Sequence, residues 1–411
     1  MFTNEEKRVS VYKKAAHPTI PQNVKSDTPL ERLDLNWREA DLPEKIRTKH
    51  VHRLHPYLGK FIPQLVEVFL RKYFVAGQII LDPFVGSGTA LVQANEMGIH
   101  GIGHDVSAFN IMLCRAKTAH YDLQKVKNEV HDLIGKARAR TQAEDSQLSF
   151  WGERREPLSS ARLSVPDNEY LQAWFAPRAL HELLAYRDLI DSEGYEYRDL
   201  LKIILCRSAR SARLTTHFDL DFPKRPQVAP YWCYKHAREC QPTTEAFKFL
   251  ERYSVDSLKR IQEFSRIRTN AKTMIHHGDS RKTVVPPIDG VVTSPPYVGL
   301  IDYHEQHAYA YHLLKLDDKR EQEIGPAAGG SSKAAQQKYQ LDIAAVLGSA
   351  AQAMRRGGRM IVVAADKNEL YGKIAELAGV EVEAVVQRHV NRRTGRRSSE
   401  FYESVFIWKK C

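Results

Sequence analysis

Two short runs of residues carry most of the chemistry this chain could perform. The first is Asp82-Pro-Phe-Val-Gly-Ser-Gly-Thr89, directly after the apolar run Ile79-Ile-Leu. Glycines there let the backbone approach a ligand closely, at a strand end where α/β sheets hold cofactors. Asp105 closes the next short apolar run, about 20 residues beyond the glycine turn, where a carboxylate can accept hydrogen bonds from ribose hydroxyls. The run is not Gly-x-Gly-x-x-Gly, and no Gly-Lys-Ser/Thr follows, which argues against NAD and ATP alike. The second run is Thr293-Ser-Pro-Pro-Tyr297. Its prolines fix a rigid turn and remove two backbone donors. That leaves the Ser294 hydroxyl and the Pro295 carbonyl as acceptors beside the aromatic face of Tyr297, a setting suited to a planar ring with an exocyclic NH₂. Each run alone has a plainer explanation: a tight turn with Asp105 capping a helix, and a proline-rich surface loop.

Both runs need a sheet to aim them. Apolar spacing through Phe61, Leu65, Val68, Phe69 and Tyr73 predicts a helix, with Pro63 in its first turn where no N–H is needed. A strand to Asp82, a helix from Thr89 to Gly98, a strand from His100 to Asp105 and a helix from Ile111 to Ala119 open a doubly wound sheet. Residues 122–270 read as mostly helical and charged, apart from the irregular, proline- and aromatic-rich stretch Phe218 to Trp232. Strands return at Met274, Gly290 and Met360, a helix at Glu369 to Ala378, and two closing strands at Val380 to Val390 and Ser404 to Trp408. The expected fold is α/β, a doubly wound and mostly parallel sheet with a largely helical insertion. Its parts are an arm over 1–50 anchored by Leu33, Leu35 and Trp37, a core of 51–121 with 271–411, and the insertion 122–270. Gly325 to Ser332 is expected to be a mobile loop near a site.

Composition narrows the partners. Against 50 acidic residues stand 61 Lys and Arg, a net +11, which suggests an anionic partner such as nucleic acid. The five cysteines are scattered and never form Cys-x-x-Cys, so reduced thiols of a cytoplasmic protein are expected, with no bridges and no zinc site. Cys114 and Cys206 read as packing residues, and the histidines as forming no metal-ligand pattern. No apolar run reaches the roughly 18–20 residues of a membrane span, and no secretory signal opens the chain, so no membrane partner is expected. Nothing in the sequence indicates an oligomeric state.

Taken together, the two runs resemble the amino-group DNA methyltransferases, which transfer the methyl group of S-adenosylmethionine to exocyclic nitrogens of cytosine or adenine. The resemblance implies a Rossmann-like class I methyltransferase fold. It places Asp82, Pro83, Phe84, Gly86, Ser87, Gly88 and Thr89 around the methionine part of the cofactor, Asp105 on its ribose and Asp279 on its adenine. His55 to Gln64 is similar to the family's first element, with Lys60 and Phe61 as its contacts. Ser294, Pro295, Pro296 and Tyr297 match the catalytic motif, and serine in first position favours N4 of cytosine over N6 of adenine. Adenine remains the alternative, and a silent nucleic-acid-binding module of the same fold a third. C5 methylation needs a thiolate, usually after proline, and no cysteine follows a proline here. The implied transfer is direct and in line, to a base flipped out of duplex DNA. Arg392, Arg393, Arg396 and Arg397, in a basic loop over 388–397, and Arg207, Arg210 and Arg213, spaced three apart as one cationic stripe, are the expected phosphate contacts. The insertion is then a candidate target-recognition region, with a structural brace or dimer surface as its competitor. It lies between the second and third cofactor acids, unlike the best-known arrangements of the family. A cognate restriction endonuclease and a prokaryotic cytosol or nucleoid are further implications.

Overall fold

The computed structural model describes residues 18–150 without 58 and 60, residues 167–390 without 218, 221, 222, 298–302, 326–329 and 331, and residues 401–411. Lys60, Arg392, Arg393, Arg396 and Arg397 therefore lie outside the described residues, as does part of the 325–332 loop.

After helices α1 (Glu44–Arg47) and α2 (Pro63–Tyr73), the chain alternates through β1 (Ile79–Asp82), α3 (Thr89–Glu96), β2 (His100–Asp105) and α4 (Ala108–Thr118). It then leaves the sheet for α5 (Leu123–Phe150), α6 (Glu169–Trp174), α7 (Pro177–Ser192) and α8 (Arg198–Ala212). A hairpin of β3 (Tyr231–Cys233) and β4 (Arg238–Cys240) leads to α9 (Phe247–Ser265). The return runs through β5 (Thr273–His277), β6 (Ile288–Thr293), α10 (Tyr303–Gln306), α11 (Ala308–Leu314) and α12 (Lys333–Ala353). Strand β7 (Met354–Ala364), α13 (Tyr371–Leu377), β8 (Glu381–Val390) and β9 (Phe401–Lys409) complete the chain.

Seven strands form one sheet in the order β5-β2-β1-β6-β7-β9-β8. The first five run parallel, and β9 runs antiparallel to both β7 and β8. Alternation along the buried strands feeds two cores. Leu81, Val291, Met360 and Val362 pack under α12 and α13, while Ile80, Val292, Ile361 and Val363 pack under α2 and the N-terminal arm. A period of two on strands buried on both faces reads in sequence as an unbroken apolar run. The arm closes the second face: Leu33, Leu35 and Trp37 are buried there, and the Trp37 indole N–H donates to the Thr19 carbonyl at 2.9 Å.

The helices of 122–270 do not hang from a linker. Leu183, Tyr186, Leu201 and Ile204 share one apolar core with Phe109 and Leu113 of α4 and with Tyr309 of α11. Two expectations are corrected here. Arg207 is buried, pairs with Asp256 at 2.7 Å and lies over the Tyr253 ring, while Arg213 is buried, donates to the Leu220 carbonyl and lies over Tyr309. Their spacing therefore does not make an exposed cationic stripe; of the three arginines only Arg210 is partly exposed. The second correction concerns the cysteines. Cys114 and Cys206 are buried packing residues, but Cys233 and Cys240 meet His217 and His236, with one ligand atom of each within 4.8 Å of the others, so the histidines and cysteines do form a cluster that could hold a metal ion.

Candidate active site

Between β1 and β6 the strand order reverses, and at such a point an open α/β sheet leaves a crevice beyond its strand ends. Here that crevice is a cleft with about 650 Å³ of free space, counted together with the solvent at its open mouth. It receives Pro83, Phe84 and Gly86 from the end of β1, Asp105, Val106 and Ser107 from β2, Asp279 and Ser280 from β5, and Ser294 and Pro296 from β6. Four strand ends thus converge on one volume.

The glycine turn is held from several sides. Gly86 (φ 46°) and Gly88 (φ 78°) both sit in the left-handed region that favours glycine. A side chain on Gly88 would meet the Cys114 sulfur at 2.7 Å, so its absence serves the packing of α3 on α4. At Gly86 the neighbour is the Tyr57 hydroxyl, 3.1 Å from an added Cβ. Beneath the turn the fully buried Lys117 ammonium donates to the Ser87 carbonyl at 2.6 Å.

Asp82 and Asp105 occupy adjacent strand ends with different roles. Asp82 is completely buried; Oδ1 accepts from the Thr293 hydroxyl at 2.6 Å and the Phe84 N–H at 3.2 Å, and Oδ2 has no hydrogen-bond partner among the described residues. It does not line the cleft but ties the first run to the second. Burial pushes its carboxyl up to about 7. Below pH ~4 this group is protonated whether the chain is folded or not. Between pH ~4 and its folded value the folded chain keeps a proton that the unfolded chain has released, so stability falls as pH rises. Asp82→Asn keeps an acceptor for Thr293 and removes the charge. It is expected to raise the melting temperature of the cofactor-free protein by several degrees near pH ~8, with the gain fading near pH ~4. Equal melting temperatures near pH ~8, measured by differential scanning calorimetry, would contradict this.

Asp105 faces the cleft. Oδ1 accepts from the Ser107 N–H at 2.8 Å and the Asn110 amide at 3.1 Å, and Oδ2 accepts from the Gly86 N–H at 2.8 Å. An ionised carboxylate offers about four acceptor positions, so Oδ2 keeps capacity for a ligand hydroxyl. Burial, opposed by these bonds, moves its carboxyl up to about 6. Asp279 is more heavily engaged: both its oxygens accept from the Arg281 guanidinium, which holds it below the usual carboxylate range despite burial. Arg281 also donates to the Gln322 carbonyl at 3.1 Å and pairs with Asp342 at 3.1 Å. It thereby draws Gln322, Glu323 and Ile324 onto the cleft rim.

At the β6 end, the Ser294 hydroxyl donates to the Val363 carbonyl at 2.9 Å. With its proton committed inward, the oxygen facing the cleft can act only as an acceptor. Tyr339 donates to the Pro296 carbonyl at 2.9 Å and contacts the Tyr371 hydroxyl at 2.7 Å, which fixes the turn from below. The half-buried Tyr297 donates to Glu403 at 3.3 Å, and Glu403 is ion-paired with Arg388 across β8 and β9. Arg388, at the root of the basic loop, is thus buried in the sheet.

Of the residues expected to hold a cofactor, Pro83, Phe84, Gly86, Asp105 and Asp279 line the cleft. Asp82, Ser87, Gly88 and Thr89 stand behind it as support, and Phe61 packs in the core beside α2. Tyr57 takes the place expected of Phe61. It stacks on His307, which stacks on Phe109 at 4.2 Å. His55, kept neutral by complete burial, has Nδ1 2.6 Å from the Pro56 carbonyl and Nε2 3.1 Å from the Tyr309 hydroxyl. That pairing makes Nδ1 the donor and Nε2 the acceptor. Sequence reasoning also missed Asn110 and Glu323, the latter bonded to the buried His304.

Among the described residues the lining contains three carboxylates (Asp105, Asp279 and Glu323), two aromatic rings, several acceptors and no lysine or arginine. A nucleotide polyphosphate would meet like charge there, whereas a nucleoside carrying a sulfonium and an ammonium meets complementary charge. With the Rossmann-like sheet, this defines an S-adenosylmethionine-dependent methyltransferase. The sequence relatives narrow the class further. A family model described as DNA methylase matches residues 3–156. The type II methyltransferase M.MjaII of Methanocaldococcus jannaschii is 38% identical over 92% of this chain and 84% of its own length. M.MvaI of Kocuria varians, also a type II methyltransferase, is 25% identical over 60% of this chain and 53% of its own. Among solved structures, TrmN from Thermus thermophilus aligns over 86% of this chain and 50% of its own at 12% identity, with a TM-score of 0.32. The chain belongs to the amino-group DNA methyltransferases of type II restriction-modification. Among the described residues no helix is long and apolar enough to cross a membrane.

Proposed function

We propose that the protein methylates the N4 amine of a cytosine flipped out of duplex DNA, at a specific sequence. The observation that carries this reading is Ser294: a hydroxyl whose proton is spent on Val363 stands as a pure acceptor on the cofactor cleft. An exocyclic amine has N–H donors to give, and serine at this position favours cytosine within the family. Ser294 and the Pro295 carbonyl hold the two N–H bonds and draw the nitrogen out of conjugation, so its lone pair turns toward the cleft. Bound S-adenosylmethionine supplies the electrophilic methyl group. Asp105 and Asp279 position the nucleoside end, and Tyr57 and Phe84 exclude water from the same volume. Orientation and electrostatics supply the rate, and no covalent enzyme intermediate is needed.

Tyr297 is the platform on which the flipped base stacks, with its hydroxyl tethered to Glu403. Base stacking on an aromatic ring is worth about 1–3 kcal/mol, or roughly 5- to 150-fold in affinity. In this reading residues 51–121 and 271–411 carry catalysis, and 122–270 with the basic loop over 388–397 read the DNA. Tyr297→Ala is expected to raise KM for duplex DNA by a factor in that range, with the affinity for S-adenosylmethionine kept. Steady-state transfer of labelled methyl groups to DNA measures it, and an unchanged KM removes Tyr297 from base capture.

A further inference from the structure

The segment between α8 and α9 raises a problem of stability. Its hairpin has strands of only three residues each, and two-stranded ribbons of that size are marginal in water. Two of its large side chains, Trp232 and Tyr234, are exposed, as is Val228 just before it, and Tyr231 is only half-buried. What the hairpin does bury is Cys233 and Cys240. Register explains why the two meet. Tyr231 pairs with Cys240 and Cys233 with Arg238, so the two cysteines project from the same face of a short ladder. Ala237 at φ 49° helps close the turn and swings His236 back beneath them. His217 arrives from the end of the preceding helical region, its N–H accepted by the Tyr231 hydroxyl at 3.2 Å.

We propose that His217, Cys233, His236 and Cys240 form a structural zinc site. One ligand atom from each residue lies within 4.8 Å of all the others. The Cys233 sulfur is 3.5 Å from Nδ1 of His217 and 3.6 Å from Nδ1 of His236, and the Cys240 sulfur is 3.5 Å from Nδ1 of His236. With Zn–S near 2.3 Å and Zn–N near 2.0–2.1 Å, the S···N edge of a tetrahedron comes to about 3.5 Å. The three S···N separations match that edge. Two histidines and two cysteines complete four-coordination, leaving no position for water, so the site is structural and not catalytic. The spacing suits the task too: two residues separate Cys233 from His236 and three separate His236 from Cys240, within the intervals of small zinc motifs.

A zinc ion here ties His217 to the β3–β4 hairpin and makes that hairpin rigid. Trp232, Tyr234, Lys235 and Arg238 then stand on its exposed surface. Aromatic and basic side chains on a stapled hairpin suit a nucleic-acid contact, which links the ion to target reading by the insertion. The ion itself does not depend on that link, nor on the choice of cytosine.

The test uses the full-length protein, purified without added chelator. Inductively coupled plasma mass spectrometry is expected to find about one zinc per chain, falling below about a tenth in Cys233→Ser and Cys240→Ser but kept in Cys411→Ser. Should the variants fail to fold, the wild-type protein still decides the matter. After chelation and dialysis, cobalt(II) is expected to give the absorption of a tetrahedral thiolate site at one equivalent, and zinc to abolish it. Chelation is further expected to loosen the hairpin backbone and speed tryptic cleavage after Lys235 and Arg238, with protection restored by zinc and not by magnesium. Metal-free protein with no cobalt spectrum, zinc content indifferent to both cysteines, or a Cys233–Cys240 disulfide would each overturn the proposal.

Discussion

Ser294→Ala is expected to lower the rate of methyl transfer by roughly 10²–10³-fold while leaving the affinity for S-adenosylmethionine unchanged. The size follows from what the hydroxyl does. Its donor is fixed to the Val363 carbonyl, so what it offers the substrate is a preorganised acceptor that strengthens as the amine nitrogen becomes pyramidal. An interaction made mainly in the transition state costs turnover when it is removed, not ground-state binding. Single-turnover kinetics with saturating cofactor and DNA measure the step directly. A loss confined to KM would mean that Ser294 merely helps bind the base.

The second large effect belongs to Asp105. Its carboxylate anchors Gly86, Ser107 and Asn110 and keeps one acceptor position toward the cleft. Hydrogen bonds to a charged group are worth about 1.5–3 kcal/mol each, so losing the ligand bond and the turn it supports should cost more than about 100-fold in cofactor affinity. Asp105→Ala tests this by isothermal titration calorimetry. The wild-type protein should carry its own signature, because the carboxyl titrates at about 6. Cofactor affinity is expected to be level above pH ~7 and to weaken by up to about tenfold per unit below pH ~6, as the acceptor takes up a proton. Asp105→Asn should lose that acid limb. A wild-type affinity flat from pH ~5 to ~8 would show that Asp105 does not bind through its charge.

How much of this was legible in the sequence depends on where the partners lie. Strands buried on both faces announce themselves as apolar runs, and the residues ending them, Asp82, Asp105 and Thr293, bound the cleft or brace it. Distant contributors gave no such signal. Tyr57 owes its position to stacking on His307, 250 residues away, and Glu323 owes its own to His304 and to the Arg281 tether. Helix α12 was not among the expected elements, its alanines giving no clear polar and apolar faces. The arginines of α8 were misread because periodicity places side chains on a helix face without revealing what packs there. Asp256 and Tyr253 wait on α9, so Arg207 pairs inward. The histidine–cysteine cluster was missed for a related reason. Searching for paired cysteines overlooks a pattern in which histidines alternate with them and a hairpin supplies the convergence. A net charge of +11 now needs other carriers, since two arginines first assigned to DNA lie in the core.

The central claim is that the β6 turn holds the N4 amine of a cytosine for methyl transfer from S-adenosylmethionine. Unmethylated genomic DNA incubated with the purified protein and labelled S-adenosylmethionine, then digested and resolved by nucleoside mass spectrometry, tests it most directly. The account predicts that the label appears in N4-methylcytosine, and that it is lost in the Pro296→Ala/Tyr297→Ala double variant. Label in N6-methyladenine, or wild-type incorporation by the double variant, would contradict it.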